Sequence, residues 1–567
     1  MPPPPPNWRG NCSLASGVWC NNKIIAARGF NDSMDATALD TDGHGTHVAG
    51  TAAGNSLDNA NVLGRAFGTA RGMAPRAHLA IYKVCFEKGC ATSNTLAAID
   101  QAIYDGVDII SMSIGGNATY RYYYDGIAQG SLAALSHGII AVAAAGNDGP
   151  GENTLIGPDC RAASTDRRCK AIVKLGNGEE LEGQTAYQPS SFNTSRVLPI
   201  VYPGGLSGGM HRREGRGGVC GWRGGVILLN PPSWGFTTYS DPHVLPAVHL
   251  SHFDGLKVET YFYSLLNSSG ISAANVSIDF RRTTYGHRPS PAVVAFSSRG
   301  PPPSNGGILK PDVLAPGSNI LAGWPFAVGP NPSGLTVWTF NFLSGTSMAT
   351  PHVAGIAALI KKKHPTWPPA YVNSAIITSA KDIDLDGNPI AEEHLNRTAN
   401  IFTTGAGHVD PVRAMDPGLV YDIRPDDYVG YLCGLGYADW ELRILYNRTM
   451  RCSAVSRIQA SAMNYPSIQV SLPRRVGSTV TVSRTVTNVG DPRSVYTARI
   501  TAPQLMRVDL STHRLRFSRL YEEASFDVAL TVIRPPSGFV PPKYAVGKIE
   551  WVSGNRVVKT PIAVKFV

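Results

Sequence analysis

Between His78 and Gly146, short apolar runs alternate with segments of helical periodicity, and this alternation restricts the chain to a few folds. HLAIYKVC (78–85), VDIISMSI (107–114) and IIAVAAAG (139–146) are apolar runs of strand length. TLAAIDQAIYDG (95–106) carries apolar residues at helical spacing and stops at a glycine, and SLAALSHG (131–138) closes a second helix. Buried strands separated by helices predict an α/β domain built on a parallel sheet. The same texture returns over residues 295–420.

Two other textures interrupt or follow it. Residues 165–290 are rich in Gly, Ser and Pro, with short β-like runs such as GGVILLN (224–230) and VLPAVHL (244–250), and read as a β-rich insertion that splits the α/β domain. After residue 463, STVTVSRTVTNVG (478–490), SFDVALTV (525–532) and VVKTPIAVKFV (557–567) alternate apolar and polar residues, the pattern of a β-sandwich. A chain of 567 residues accommodates several domains. The expected division is 1–160 for the first part of the α/β domain, 161–292 for the insertion, 293–425 for the second part of the α/β domain, 426–462 for a connector and 463–567 for the sandwich.

Composition removes several function classes. With 43% hydrophobic and 16% charged residues the chain is neither disordered nor a coiled coil. Its longest apolar stretches, such as Gly138 to Gly146, fall far short of the ~20 residues that span a bilayer, so no membrane partner is expected. The net charge of +10 is scattered rather than gathered on a motif, and no nucleic-acid partner is expected. Its dense spots are Arg212 to Arg216 and Lys361 to Lys363; the second lies at an expected helix end, where cations favour the dipole. No Cys-x-x-Cys pair is present, and neither metal nor cofactor is expected.

Three motifs carry chemistry. In DTDGHGTHVAGTAAG (40–54), His44 lies between glycines ahead of a helix-like run, where an imidazole stays accessible; a capping or core histidine is the alternative. In AVAAAGNDGP (141–150), Asn147 follows a buried strand, at the end where α/β sheets bind ligands. Its amide can donate to a developing oxyanion, although Asn-Asp-Gly is equally a turn sequence. In LSGTSMATPHVAGIAALIKKKHP (343–365), Ser347 opens a helix whose backbone N–H groups favour negative charge on a substrate oxygen. A serine there can equally be an N-cap. His47 makes a His-x-x-His pair without the glutamate of a zinc protease, and it reads as structural, as does His352.

Together the blocks GHGTHVAG, AAAGNDGP and SGTSMATPHVAG, in that order, resemble the subtilisin-like serine proteases. WRGNC, YKVCFEKGC (82–90), FSSRGPPP (296–303), LKPDVLAPG (309–317), GHVDPVRAMDPGLVYD (407–422) and MNYPSI (463–468) resemble the plant subtilases in particular. The resemblance covers nearly the whole chain. It implies a subtilisin-like parallel sheet with flanking helices, a protease-associated insertion and a fibronectin-III-like C-terminal sandwich. It implies a serine endopeptidase acting on protein or peptide substrates through an acyl-enzyme. His44 would be the base, Ser347 the nucleophile, and Asn147 with the Ser347 backbone N–H the oxyanion hole. Ser113, Ile114 and Gly115 would pair with an extended substrate by backbone hydrogen bonds.

One family element is absent. No Asp-Thr/Ser-Gly block after a buried strand lies between Met1 and His44, and Asp40 and Asp42 belong to the histidine motif. The expectation is that the chain begins downstream of that block, so that a signal peptide, a prodomain and the first core strand lie outside it. MPPPPPNWRG has neither the charge nor the apolar run of a signal peptide. Turnover is then expected to be weak, with a pseudoenzyme that keeps the peptide-binding surface as the competing reading. Residues 154–171 and 204–225 depart from the family texture. Of the nine cysteines, Cys85 with Cys90, Cys433 with Cys452 and Cys12 with Cys20 are spaced as disulfide candidates. Eight sequons lie at Asn11, Asn31, Asn117, Asn193, Asn267, Asn275, Asn396 and Asn447. Together they predict an extracellular glycoprotein.

Overall fold

The computed structural model describes the chain outside residues 13–18, 32–35, 88, 116–120, 156–159, 166–167, 187–196, 201–218, 223–224, 244, 270–273, 329–338, 447–448 and 539–541. Its catalytic region is built from β1 (Ile24–Gly29), α1 (His44–Ala53), β2 (Leu79–Lys83), α2 (Thr92–Asp105), β3 (Ile109–Met112), α3 (Gly126–Ser136), β4 (Ile140–Ala144), β5 (Cys160–Thr165), β6 (Val313–Pro316) and α4 (Thr346–Lys363). The strand and helix runs read from residues 78–146 thus become β2-α2-β3-α3-β4. Helix α2 stops at Gly106, whose φ of 87° few other residues adopt. Helix α3 starts at Asp125, whose carboxylate accepts from the Ile127 and Ala128 N–H groups.

Strand β4 is buried along its whole length. It pairs in parallel with β3 on one side and β5 on the other, and β5 pairs in parallel with β6. Helix α4 covers this sheet, burying Val353, Ile356, Ala357 and Ile360 against Val142 and Val294. Lys361, Lys362 and Lys363 occupy its last turn, where they complement the helix dipole. The parallel sheet is not continuous, however. β1 and β2 form a separate two-stranded parallel pair, and no hydrogen bond joins β2 to β3 among the described residues.

Two strands cross the expected domain limits. β5 runs past residue 161, where the insertion is expected to start, and stays in the catalytic sheet to Thr165, where the insertion leaves it. The insertion returns at Ala292–Val293, which pair antiparallel with Thr165 and Ser164 of that same strand. Between these points seven strands among the described residues form one sheet, covered by the His252–Ser269 helix around Val173, Ile227, Val248, Val258 and Ile278. Leu419–Tyr421, assigned by sequence to the catalytic domain, instead pairs with Thr479–Asn488 at the edge of the C-terminal sandwich. That sandwich stacks a four-stranded on a five-stranded sheet, with Phe526 and Trp551 meeting edge to face at its centre. The connector contributes two helices, Pro425–Gly434 and Asp439–Tyr446, which pack into the catalytic core.

Candidate active site

Ser347 and Asn147 meet beyond the carboxyl ends of β3 and β4, and His44 opens α1, which packs on the helix that bears Ser347. Ser347 is the second residue of α4, partly exposed among buried neighbours. Four residues later stands Pro351, which has no N–H to offer the Ser347 carbonyl. That carbonyl instead accepts the Ser113 hydroxyl at 2.7 Å. The Ser347 hydroxyl in turn lies 3.5 Å from the Ser113 carbonyl. Ser113 therefore lies against the serine, immediately beyond the end of β3, and Ile114 and Gly115 follow it in the chain. The proline explains how a helix can present its first turn to a neighbouring strand end.

Asn147 follows β4 after Gly146, whose φ of 97° turns the chain out of the sheet. The Asn147 side-chain oxygen accepts from both the N–H and the hydroxyl of Thr346, each at 2.9 Å. The Thr346 hydroxyl also accepts from the Gly146 N–H at 3.2 Å. With its oxygen so fixed, the amide NH2 of Asn147 lies on the Gly345 side, beside the start of α4. Thr346 was not singled out from sequence. Its only signal is its place directly before the serine, which pattern reading cannot distinguish from a helix-favouring neighbour.

His44 opens α1, and the turn before it is fixed by Asp40. The Asp40 carboxylate accepts from the Asp42, Gly43 and Thr46 N–H groups and from the Thr46 hydroxyl, at 2.6–3.0 Å. These bonds hold its carboxyl below the usual range although burial pushes the other way. Asp42 caps the His44 N–H at 3.2 Å. Burial lowers the pKa of the His44 imidazole, partly offset by the charges of Asp42 and Asp40, so the ring favours its neutral form. Among the described residues no hydrogen bond joins that ring to Ser347 or to a carboxylate.

His47 and His352 are occupied elsewhere. The buried His47 donates from Nε2 to the Ile320 and Asn341 carbonyls at 2.8 and 3.2 Å, tying α1 to the hairpin of strands Ile320–Trp324 and Thr339–Leu343. His352 Nδ1 bonds the Met348 carbonyl at 2.8 Å. No group of three metal-ligating side chains occurs among the described residues.

Cys12–Cys20, Cys85–Cys90 and Cys433–Cys452 are disulfides, with Cα separations of 5.5, 4.1 and 5.5 Å. Asn11, Asn31 and Asn396 are exposed, whereas Asn275 is half-buried in a strand of the insertion. Asn117, Asn193, Asn447 and the side chain of Asn267 lie outside the described residues.

Residues 21–407 match the subtilase family model, and residues 462–564 match a fibronectin type-III domain. The chain is 38% identical to the subtilisin-like protease SBT1.5 of Arabidopsis thaliana, over 99% of its own length and 80% of that protein. It is 38% identical to SBT1.6, with the same shares covered, and 37% identical to SBT1.7 over 100% of itself and 79% of that relative, both from the same plant. The chain belongs to the subtilase family of serine peptidases, and the Arabidopsis subtilisin-like proteases are its relatives along nearly its whole length.

Proposed function

We propose that the chain is a serine endopeptidase in which Ser347 attacks the peptide carbonyl and His44 takes its proton. A serine hydroxyl is a poor nucleophile until a neighbouring base removes its proton, and the lowered His44 pKa keeps a neutral imidazole ready for that work. Asn147 and the Ser347 N–H donate to the oxyanion of the tetrahedral intermediate. The observation that carries this is the Thr346 clamp on Asn147, which leaves an amide donor beside the serine with no reorganisation required. Ser113, Ile114 and Gly115 hold the substrate backbone beside the nucleophile. The division into catalytic core, protease-associated insertion and sandwich, and residence outside the cell as a glycoprotein, belong to the same reading. The disulfides and the exposed sequons support it.

A second reading, a peptide-binding protein with little turnover, is favoured by the unpartnered His44 ring. A fluorophosphonate separates the two. Labelling at Ser347, lost in Ser347→Ala and slowed in His44→Ala, establishes the catalytic pair. No labelling of the wild-type chain in a folded preparation would establish the second reading.

A further inference from the structure

A cavity of about 140 Å³ lies where the catalytic core, the connector and the approach to the sandwich meet. Its walls are mostly apolar, built from Leu132 of α3, Ile140 of β4, Ile308, Leu432 and Leu445 of the two connector helices, and Met463. Met463, Tyr465 and Pro466 belong to the MNYPSI block, to which the proposed reaction gives no task, and all three line the space. Protein interiors hold few voids larger than a water molecule, so a space of this size inside the junction of three regions is a departure from ordinary packing.

Several polar side chains of the wall are committed to one another. Lys310 donates to Asp312 at 2.9 Å and to the Tyr465 hydroxyl at 3.0 Å, and Asn373 donates to the same hydroxyl at 3.4 Å. Tyr431 donates to the Asn305 carbonyl at 2.8 Å. Ser131 of α3 differs from them. It lines the cavity and is 3% exposed, yet its hydroxyl has no hydrogen-bond partner among the described residues. A hydroxyl inside a helix often bonds the carbonyl four residues back, as those of Thr350, Thr378 and Ser379 do here. Ser131 does not, and a buried polar group is seldom left without a partner.

Volume and lining select the class of occupant. An apolar cavity of about 150 Å³ holds one benzene ring. A water molecule needs two to four polar partners, and these walls are apolar around the open Ser131 hydroxyl. The rings of Tyr431 and Tyr465 in the wall suit edge-to-face contact with an aromatic guest. We propose that this cavity binds a monocyclic phenol, its ring between α3 and the connector helices and its hydroxyl paired with Ser131. The guest touches core, connector and the MNYPSI block together, so its binding tightens their junction. The proposal does not depend on the catalytic reading of His44 and Ser347.

The test uses the whole chain, with phenol and benzene as probes. The melting midpoint is titrated with each, and the Met463 methyl resonance is followed in parallel. Phenol should bind saturably, raise the midpoint and shift the Met463 methyl through its ring current. Benzene should do the same at about fivefold weaker affinity, the difference made by one hydrogen bond. Ser131→Ala should reduce phenol to the affinity of benzene. Ala128→Leu, which enlarges a buried side chain in the same wall, should abolish binding of both, and Leu445→Phe takes its place if that variant does not fold. No saturable response to either probe overturns the site. Equal affinities for phenol and benzene in the unmodified chain overturn the pairing with Ser131 and with it the phenol. Binding that survives the filling variant puts the ligand elsewhere and overturns the proposal.

Discussion

His47 and His44 are three residues apart on one helix and are set up for opposite tasks. His47 is wholly buried and pinned by two carbonyls, and burial lowers its pKa to about 4. An unfolded histidine binds its proton near ~6.5, so the unfolded state takes up protons that His47 refuses. Its contribution to stability is present above that value and is lost as pH falls toward 4. The loss is about 3 kcal/mol over that interval. The melting midpoint of the catalytic region should fall on acidification from pH 7 to 4. His47→Gln keeps a donor for the two carbonyls and should flatten that slope. Asp40 acts at the same scale. Asp40→Ala removes four hydrogen bonds from the turn before His44 and should cost about 1–2 kcal/mol. It should also slow Ser347 labelling, whereas Asp40→Asn, which keeps an acceptor, should lose less in both measurements.

At the scale of elements, the catalytic histidine and serine candidates sit on two helices held at fixed distance by a glycine. A Cβ on Gly355 of α4 would stand 2.6 Å from Met73 Cβ and 2.8 Å from the Ala52 carbonyl at the end of α1. Backbone cannot yield as a side chain does. Gly355→Val should therefore cost about 1–3 kcal/mol in thermal unfolding and slow Ser347 labelling by displacing α1. Helix and strand identities from residue 78 to 146 were readable because each run kept one period. The histidine, asparagine and serine blocks were readable because each places a chemically distinctive residue beside glycines at an element end. The break between β2 and β3 was expected only through the family resemblance, from the core strand missing between Met1 and His44; no run of residues encodes it, since strand pairing is a non-local property. Thr346 and Asp40 escaped for a related reason. Each acts through bonds to groups that sequence shows only as ordinary backbone or a neighbouring amide.

At the scale of the whole molecule, the sandwich is fastened to the catalytic core through buried polar groups rather than through apolar surface alone. Tyr465 donates to Asp312 at 2.5 Å beside Lys310, which pairs with the same carboxylate at 2.9 Å. Lys559 of the sandwich reaches the Ala406 carbonyl of the core at 2.6 Å. A hydrogen bond to a buried charge is worth about 1.5–3 kcal/mol, so Tyr465→Phe should lower thermal stability by that amount. It should also speed limited proteolysis between residues 440 and 465, while Tyr521→Phe on the exposed surface should do neither. The insertion is fastened differently. Gln184 and the Ser240 N–H both bond Asn319 of the core, at 2.9 and 2.7 Å. Its two ends meet as register partners, Thr165 opposite Ala292. The core therefore encounters more than a hundred intervening residues as it would the tip of a hairpin. Seen as construction, the enzyme body has a socket there: any module whose own termini lie one strand apart could be grafted into it, or a two-residue turn could close it, without shifting a single pairing in the sheet that lies under the serine's helix.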